Sequence, residues 1–106
     1  MSWHSVCKID ELPPTGDGGK EFVVAGHVLA VFRCADGQLR AIDGMCAHQG
    51  GPLAQGKLDD RCLTCPWHGW QYDITTGQNL LTHKKMLETY SLKICDGQVW
   101  IELEQE

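Results

Sequence analysis

Two short motifs, each pairing one cysteine with one histidine, are the strongest chemical signal in this sequence. Cys46 and His48 are separated by one residue, Cys65 and His68 by two, and sixteen residues lie between the motifs. Thiolates are soft ligands that select iron–sulfur or zinc centres, and imidazole binds iron and zinc. The four side chains therefore indicate a metal centre built from two thiolates and two imidazoles.

A 2Fe-2S cluster suits this ligand set best. In one type of cluster, two cysteines hold one iron and two histidines replace thiolates on the other, which raises the reduction potential. Zinc is the alternative, but structural zinc motifs usually separate paired ligands by two to four residues, and only one residue separates Cys46 from His48. We favour an electron-carrying cluster, with its histidine-bound iron facing solvent, and keep zinc as the alternative.

The chain of 106 residues predicts one domain, 1–106, with no room for a separate catalytic domain. A net charge of −5 argues against nucleic acid binding, which depends on clustered basic side chains. The longest apolar runs are far below the roughly 18 residues of a membrane span. The amino-terminal residues lack the features of a secretory signal, so we expect a cytoplasmic protein that does not enter a membrane.

Four further cysteines have no ligand spacing. They are Cys7, Cys34, Cys62 and Cys95, and without an exporting context they are expected to remain reduced thiols. Cys7, Cys34 and Cys95 lie beside apolar strand residues and are expected to be buried. Cys62 and Cys65 also spell Cys-x-x-Cys, a dithiol redox motif, but Cys65 already belongs to the stronger pair and no βαβ pattern accompanies it.

Two Asp-Gly pairs, at 36–37 and 96–97, predict tight hairpin turns between β-rich runs. We expect strands on both sides of each turn, at 27–34, 39–43, 91–95 and 99–103, and further strands at 62–65 and 70–74. Glycine and proline clusters place both ligand pairs on loops, at about 44–56 and 64–73. No convincing helical period is present, so the sequence predicts an all-β chain.

The sequence resembles Rieske-type ferredoxins over most of its length, because both ligand boxes are complete at 46–53 and 65–73. This resemblance implies an antiparallel β-sandwich with a small cluster-binding subdomain of two loops, and one [2Fe-2S] cluster. It also implies that Cys46 and Cys65 bind one iron, and that His48 and His68 bind the other through Nδ1.

In the respiratory members of the family, each box has an extra cysteine, the two extra cysteines form a disulfide over the cluster, and a serine donates a hydrogen bond to it. Gly51, Trp67 and Trp70 occupy those positions here, while Tyr72 is kept. With fewer hydrogen bonds to sulfur, the potential should lie at the low end of the family range, roughly −150 mV. The two tryptophans either shield the cluster from water or form a docking surface, and the sequence leaves both open.

The resemblance implies a soluble electron carrier. Because the protein fills all four cluster positions and leaves no open metal site, we expect that it is not itself an enzyme, and we expect a monomer. Similar ferredoxins pass single electrons from a flavin-dependent ferredoxin reductase to a terminal oxygenase. The alternative is the small subunit of an assimilatory nitrite reductase, which is similar in size and carries a related domain.

Overall fold

The computed structural model describes residues 2–14, 18–47, 50–67 and 69–103. Ten strands form antiparallel pairs, and the only helical elements in this part of the chain are short 3-10 turns at Ile9–Glu11 and Leu53–Gln55, so the all-β prediction is confirmed. The strands are β1 (Ser2–Lys8), β2 (Gly19–Val24), β3 (His27–Arg33), β4 (Leu39–Asp43), β5 (Lys57–Asp59), β6 (Cys62–Thr64), β7 (Gln71–Asp73), β8 (Thr89–Tyr90), β9 (Leu92–Cys95) and β10 (Gln98–Leu103).

The strands form three small sheets. Their orders are β1-β10-β9, β2-β3-β4-β8 and β5-β6-β7. The four-stranded sheet contributes to two separate cores, one shared with β1 and β10 and one shared with β6 and β7. It is therefore the middle layer, and the sheet β5-β6-β7 lies on the side where both candidate cysteines are buried.

Strand β3 shows how the sequence produces a middle layer. Leu29 and Val31 pack into the core beneath the β1-β10-β9 sheet, whereas Ala30 and Phe32 pack into the core on the other face. Successive side chains of a strand point to opposite faces, so an unbroken apolar run marks a strand that is buried on both. In β10, by contrast, buried and partly buried side chains alternate, with Val99, Ile101 and Leu103 buried on one face, as predicted.

The two predicted hairpins are present, and a third has a weaker sequence signal. Asp96 and Gly97 have φ angles of 52° and 75°, the positive values that a tight hairpin turn requires. At the other predicted turn, the N–H of Cys34 donates to the carbonyl of Gln38 at 2.8 Å. The additional hairpin joins β2 to β3 through Ala25 and Gly26, with φ angles of 50° and 82°.

One burial prediction was wrong. Cys95 is exposed because it is the last residue of β9, an edge strand whose Lys93, Ile94 and Cys95 all face solvent beside the turn. Cys7 and Cys34 are buried as expected, and none of the six cysteines forms a disulfide.

Candidate metal centre

The first candidate thiolate, Cys46, is fixed by a closed backbone loop after β4. Its N–H donates to the carbonyl of Gly51 and its own carbonyl accepts from the N–H of Gly50, both at 2.8 Å. A bridge between Met45 and Pro52 closes the loop at its base. Gly50 has a φ of 73°, which favours glycine and lets the chain reverse. The cysteine side chain is consequently buried, with 4% of its surface exposed.

The second candidate thiolate, Cys65, follows β6 and is held in the same way. Its N–H donates to the carbonyl of Trp70 at 2.7 Å, which closes the loop that carries the second motif. The N–H of Trp67 lies 3.4 Å from Cys65 Sγ and donates to it. Only 1% of the Cys65 surface is exposed.

The fold brings the two cysteines into one buried cluster with Tyr72. The Tyr72 hydroxyl lies 3.1 Å from Cys46 Sγ, and the tyrosine is fully buried on β7. Burial and the neighbouring Cys46 thiol both raise the pKa of Tyr72, so its hydroxyl keeps the proton. The tyrosine is therefore available to donate a hydrogen bond to a thiolate at position 46.

Burial also raises the pKa of the Cys65 thiol, and Cys46 adds to this rise, while the N–H of Trp67 acts in the opposite direction. Two buried thiols this close together favour the neutral form because two negative charges would repel each other. A bound cation reverses that preference and deprotonates the ligands. The pair has the character of a metal site.

The two loops touch each other at Gly51. A β-carbon built on this glycine would lie 2.9 Å from Cys65 Sγ and 3.1 Å from the Trp67 ring. Real β-carbons essentially never approach a heavy atom within 3.0 Å. The absence of a side chain at position 51 therefore keeps the space beside the second sulfur open.

His48 and His68 lie outside the described residues, so their part in the ligand set remains a prediction. Their described neighbours Ala47, Trp67 and Gly69 are all exposed, whereas both cysteines are buried. The cysteine side of the site thus faces the core, and the chain reaches the surface on either side of the second histidine position.

The sequence had left two roles open for the tryptophans, and their surroundings differ. Trp67 is 49% exposed, so about half of its surface faces solvent and is accessible to a partner. Trp70 is partly buried and packs against the cluster-side core. It also lines a groove of about 430 Å³ together with Leu80 and Leu81.

Sequence reasoning missed the turn that bears this groove. Asn79 is buried, and its Oδ1 accepts hydrogen bonds from the N–H groups of Leu81 and Thr82 at 2.9 and 3.0 Å. The turn presents Leu81 to solvent with 88% of its surface exposed. A leucine pair in a polar stretch carries no turn signal, but Asn79 is a residue type that caps its own backbone.

A family model for the Rieske [2Fe-2S] domain matches residues 2–91 of the chain. The chain belongs to this family. A Rieske domain carries one [2Fe-2S] cluster, and the residues described here fit it: two buried cysteines belong to one core, an O–H and an N–H lie close to their sulfurs, and Gly51 has no side chain beside Cys65.

The Rieske match extends to whole proteins of similar size. The chain is 35% identical over 98 residues to the anthranilate 1,2-dioxygenase ferredoxin subunit of Burkholderia cepacia, covering 92% of this chain and 88% of the relative. Among solved structures, the ferredoxin of carbazole 1,9a-dioxygenase from Nocardioides aromaticivorans IC177 superposes with a TM-score of 0.84 at 22% identity, covering 98% of this chain and all of the other.

A second solved structure is described as an NADH-dependent nitrite reductase small subunit from Mycobacterium tuberculosis. It superposes with a TM-score of 0.83 at 21% identity, covering 94% of this chain and 93% of the other. At such identities both structures show the fold alone. The fold therefore does not separate the two functions.

No helix in the described ranges combines the length and apolar character needed to cross a membrane.

Proposed function

We propose that this Rieske protein is an electron carrier that takes single electrons from a flavin-dependent reductase and delivers them to a terminal oxygenase. The near end-to-end match to a dioxygenase ferredoxin subunit supports this function most strongly, because that relative has little length beyond the region shared with this chain. The protein would be a component of an oxidoreductase system and not an enzyme by itself.

The cluster would be held by Cys46, His48, Cys65 and His68 within the single domain 1–106, on the loops 44–56 and 64–73. The positions of the two described cysteines support this ligand set, since both follow a strand and both enter the same core. When bound, the cluster supplies one-electron chemistry. The chain's own residues exclude water from the cysteine side and donate hydrogen bonds to sulfur.

The partner would dock at the end of the molecule that carries the loops. Of the eight large apolar side chains that the described residues expose, five belong to the ligand loops or to the segment 74–88 that follows: Met45, Trp67, Leu80, Leu81 and Met86. Exposed apolar patches of this kind mark interaction sites. We propose a monomer that uses these side chains to contact the reductase and the oxygenase in turn, through small, transient interfaces.

The cytoplasm is the proposed location. All six cysteines are free of disulfides, and Cys95 is exposed to solvent, an arrangement that suits a reducing compartment.

The first experiment tests the cluster. The purified protein should contain two irons and two acid-labile sulfides per chain and show the spectrum of a mixed thiolate and imidazole cluster. Cys46→Ala and Cys65→Ala should abolish the spectrum, while Cys62→Ala and Cys95→Ala serve as matched controls that retain it. A colourless protein that binds zinc would exclude the proposal.

The second experiment separates the two candidate acceptors. In stopped-flow measurements the reduced protein should be reoxidised rapidly by the oxygenase component of anthranilate 1,2-dioxygenase, the partner system of a close relative. A permanent complex with a nitrite reductase large subunit, isolated together with this chain, would favour the alternative.

A further inference from the structure

Asp43 joins two parts of the fold at the last residue of β4. Its carboxylate accepts a hydrogen bond from the Tyr90 hydroxyl at 2.6 Å and another from the N–H of Glu88 at 2.8 Å. Its own N–H donates to the carbonyl of Glu88 at 2.9 Å. A carboxylate that accepts two such bonds is geometrically fixed, because bonds to a charged acceptor are shorter and stronger than neutral ones.

The segment held by Asp43 is also attached to the cluster-side sheet. Leu87, next to Glu88, is buried in the same core as both cysteines, and its N–H donates to the carbonyl of Gly77 at 3.2 Å. The N–H of Gly77 in turn donates to the carbonyl of Asp73, the last residue of β7, at 2.8 Å. Position 77 admits only glycine, because a β-carbon there would overlap the Leu87 carbonyl.

These contacts link the first ligand loop to β7 by two routes, one through Tyr72 and one through the 87–90 segment. β7 carries Tyr72, whose hydroxyl meets Cys46 Sγ at 3.1 Å. Cys46 follows Asp43 by three residues, and Asp43 is bonded to the segment that is attached to the end of β7. A shift of the 87–90 segment away from Asp43 would therefore change the spacing between the first ligand loop and β7.

We propose that Asp43 is a positioning residue that, through Tyr90 and Glu88, holds the first ligand loop at the spacing that permits the hydrogen bond between Tyr72 and Cys46. This inference rests on the proposed function, since Cys46 must be a cluster ligand for the bond to matter to electron transfer. Hydrogen bonds to ligand sulfur stabilise the reduced, more negative cluster. Loosening the Asp43 contacts therefore lowers the reduction potential by weakening one specific bond.

The test is a double-mutant cycle on the cluster-loaded protein, with the midpoint potential as the readout. Tyr90→Phe removes the hydroxyl that Asp43 accepts and changes no charge. It should lower the potential in the wild-type background and have no effect in a Tyr72→Phe background, where the bond it acts through is already gone. A structural role alone would not make the potential shift depend on Tyr72.

Asp43→Asn provides a second variant if Tyr90→Phe folds poorly. Removing a negative charge raises the potential in both backgrounds, so only the difference between the two backgrounds measures positioning. Asp36→Asn is the matched control, because Asp36 also accepts two hydrogen bonds, from the N–H of Gln38 and from Arg40, but lies in the exposed hairpin turn. Its shift should be the same in both backgrounds.

The inference is overturned if Tyr90→Phe leaves the potential unchanged, or if it shifts the potential equally with and without the Tyr72 hydroxyl. Failure of the proposed function would look different, because the wild-type protein would then contain no iron or sulfide. The same cycle would then be measured on the free energy of unfolding, where strictly additive effects of Tyr90→Phe and Tyr72→Phe would also overturn the positioning role.

Discussion

Gly51 lies against Cys65 so closely that a β-carbon at position 51 would stand 2.9 Å from the cysteine Sγ. The contact joins the first ligand loop to the second, and it occurs where the respiratory members of the family, by resemblance, carry a disulfide. In this chain the two loops meet through a glycine and the Trp67 ring.

Gly51→Ala should therefore reduce the cluster content of the purified protein. Forcing an extra carbon into a packed site costs about 1–3 kcal/mol, and here the atoms that would have to move are a ligand sulfur and an indole ring. The measurement is iron and sulfide per chain. Gly26→Ala is the control. A β-carbon at position 26 would have no heavy atom within 4 Å, so this variant strains only the hairpin turn, through its positive φ. Equal cluster content in both variants would contradict the interpretation.

The midpoint potential should lie at the low end of the family range, roughly −150 mV. The Tyr72 hydroxyl and the N–H of Trp67 lie near the ligand sulfurs and can donate to them. The serine and the disulfide of the respiratory type are replaced by Trp70, Gly51 and Trp67. Voltammetry on the purified protein measures the potential directly. A value above about +100 mV would show that donors beyond these two dominate.

The potential should also be nearly independent of pH between 6 and 8. A cluster of low potential withdraws less charge from its imidazoles, so His48 and His68 should keep their outer ring protons in both redox states. Potentials measured at several pH values test this prediction. A slope approaching 59 mV per pH unit, the value for one proton per electron, would mean that protons accompany the electron.

Leu81→Asp should slow electron transfer to the partner without changing the cluster. Leu81 is 88% exposed at the edge of the groove that Trp70 lines, so a partner side chain seated there would meet a charge. Loss of one buried apolar contact costs about 1.5–3 kcal/mol. This predicts at least a tenfold lower kcat/KM of the oxygenase when the reduced variant is its electron donor. Val23→Asp is the matched control on the edge strand β2, where Val23 is also exposed. Both variants should have the midpoint potential of the wild-type protein. If both lowered kcat/KM equally, the groove would not be part of the docking surface.

Stability should decline above pH 10, and Tyr90→Phe should make that decline shallower. Burial and the hydrogen bond to Asp43 raise the pKa of Tyr90 above its unfolded value of about 10. Above that pH the unfolded chain loses the proton while the folded chain keeps it, so stability falls as the pH rises. Below that pH the group contributes no slope. Free energies of unfolding measured at pH 8, 10 and 11 test this, and identical slopes for both proteins would contradict it.

The two Asp-Gly hairpins could be predicted because their signals are local. The strand at Leu39–Asp43 has the predicted bounds, and the Asp-Gly turn at 96–97 has the expected positive φ angles. β1 was missed because its apolar pattern is broken: a bulge between Ser5 and Cys7 shifts the register against β10. Its strand conformation depends on pairing with residues almost a hundred positions away, and no local window contains that information.

The Asp43 contacts were missed for a related reason. An aspartate at the end of a strand most often faces solvent, and only the fold shows that Tyr90 and Glu88 arrive beside it from 45 or more positions later in the chain. The Ala25-Gly26 turn was missed because alanine rarely adopts a positive φ, and here the pairing of β2 with β3 imposes it.

The two cores differ in whether they contain the candidate cluster ligands. The core between the β1-β10-β9 sheet and the middle sheet contains neither candidate metal-ligating cysteine nor Tyr72, whereas the other core contains Cys46, Cys65 and Tyr72 together. We therefore expect newly made chains to be able to assemble the first core before any iron is bound. The loops would then receive their cluster on a platform that already exists, and a chain that loses its cluster would remain a substrate for repair.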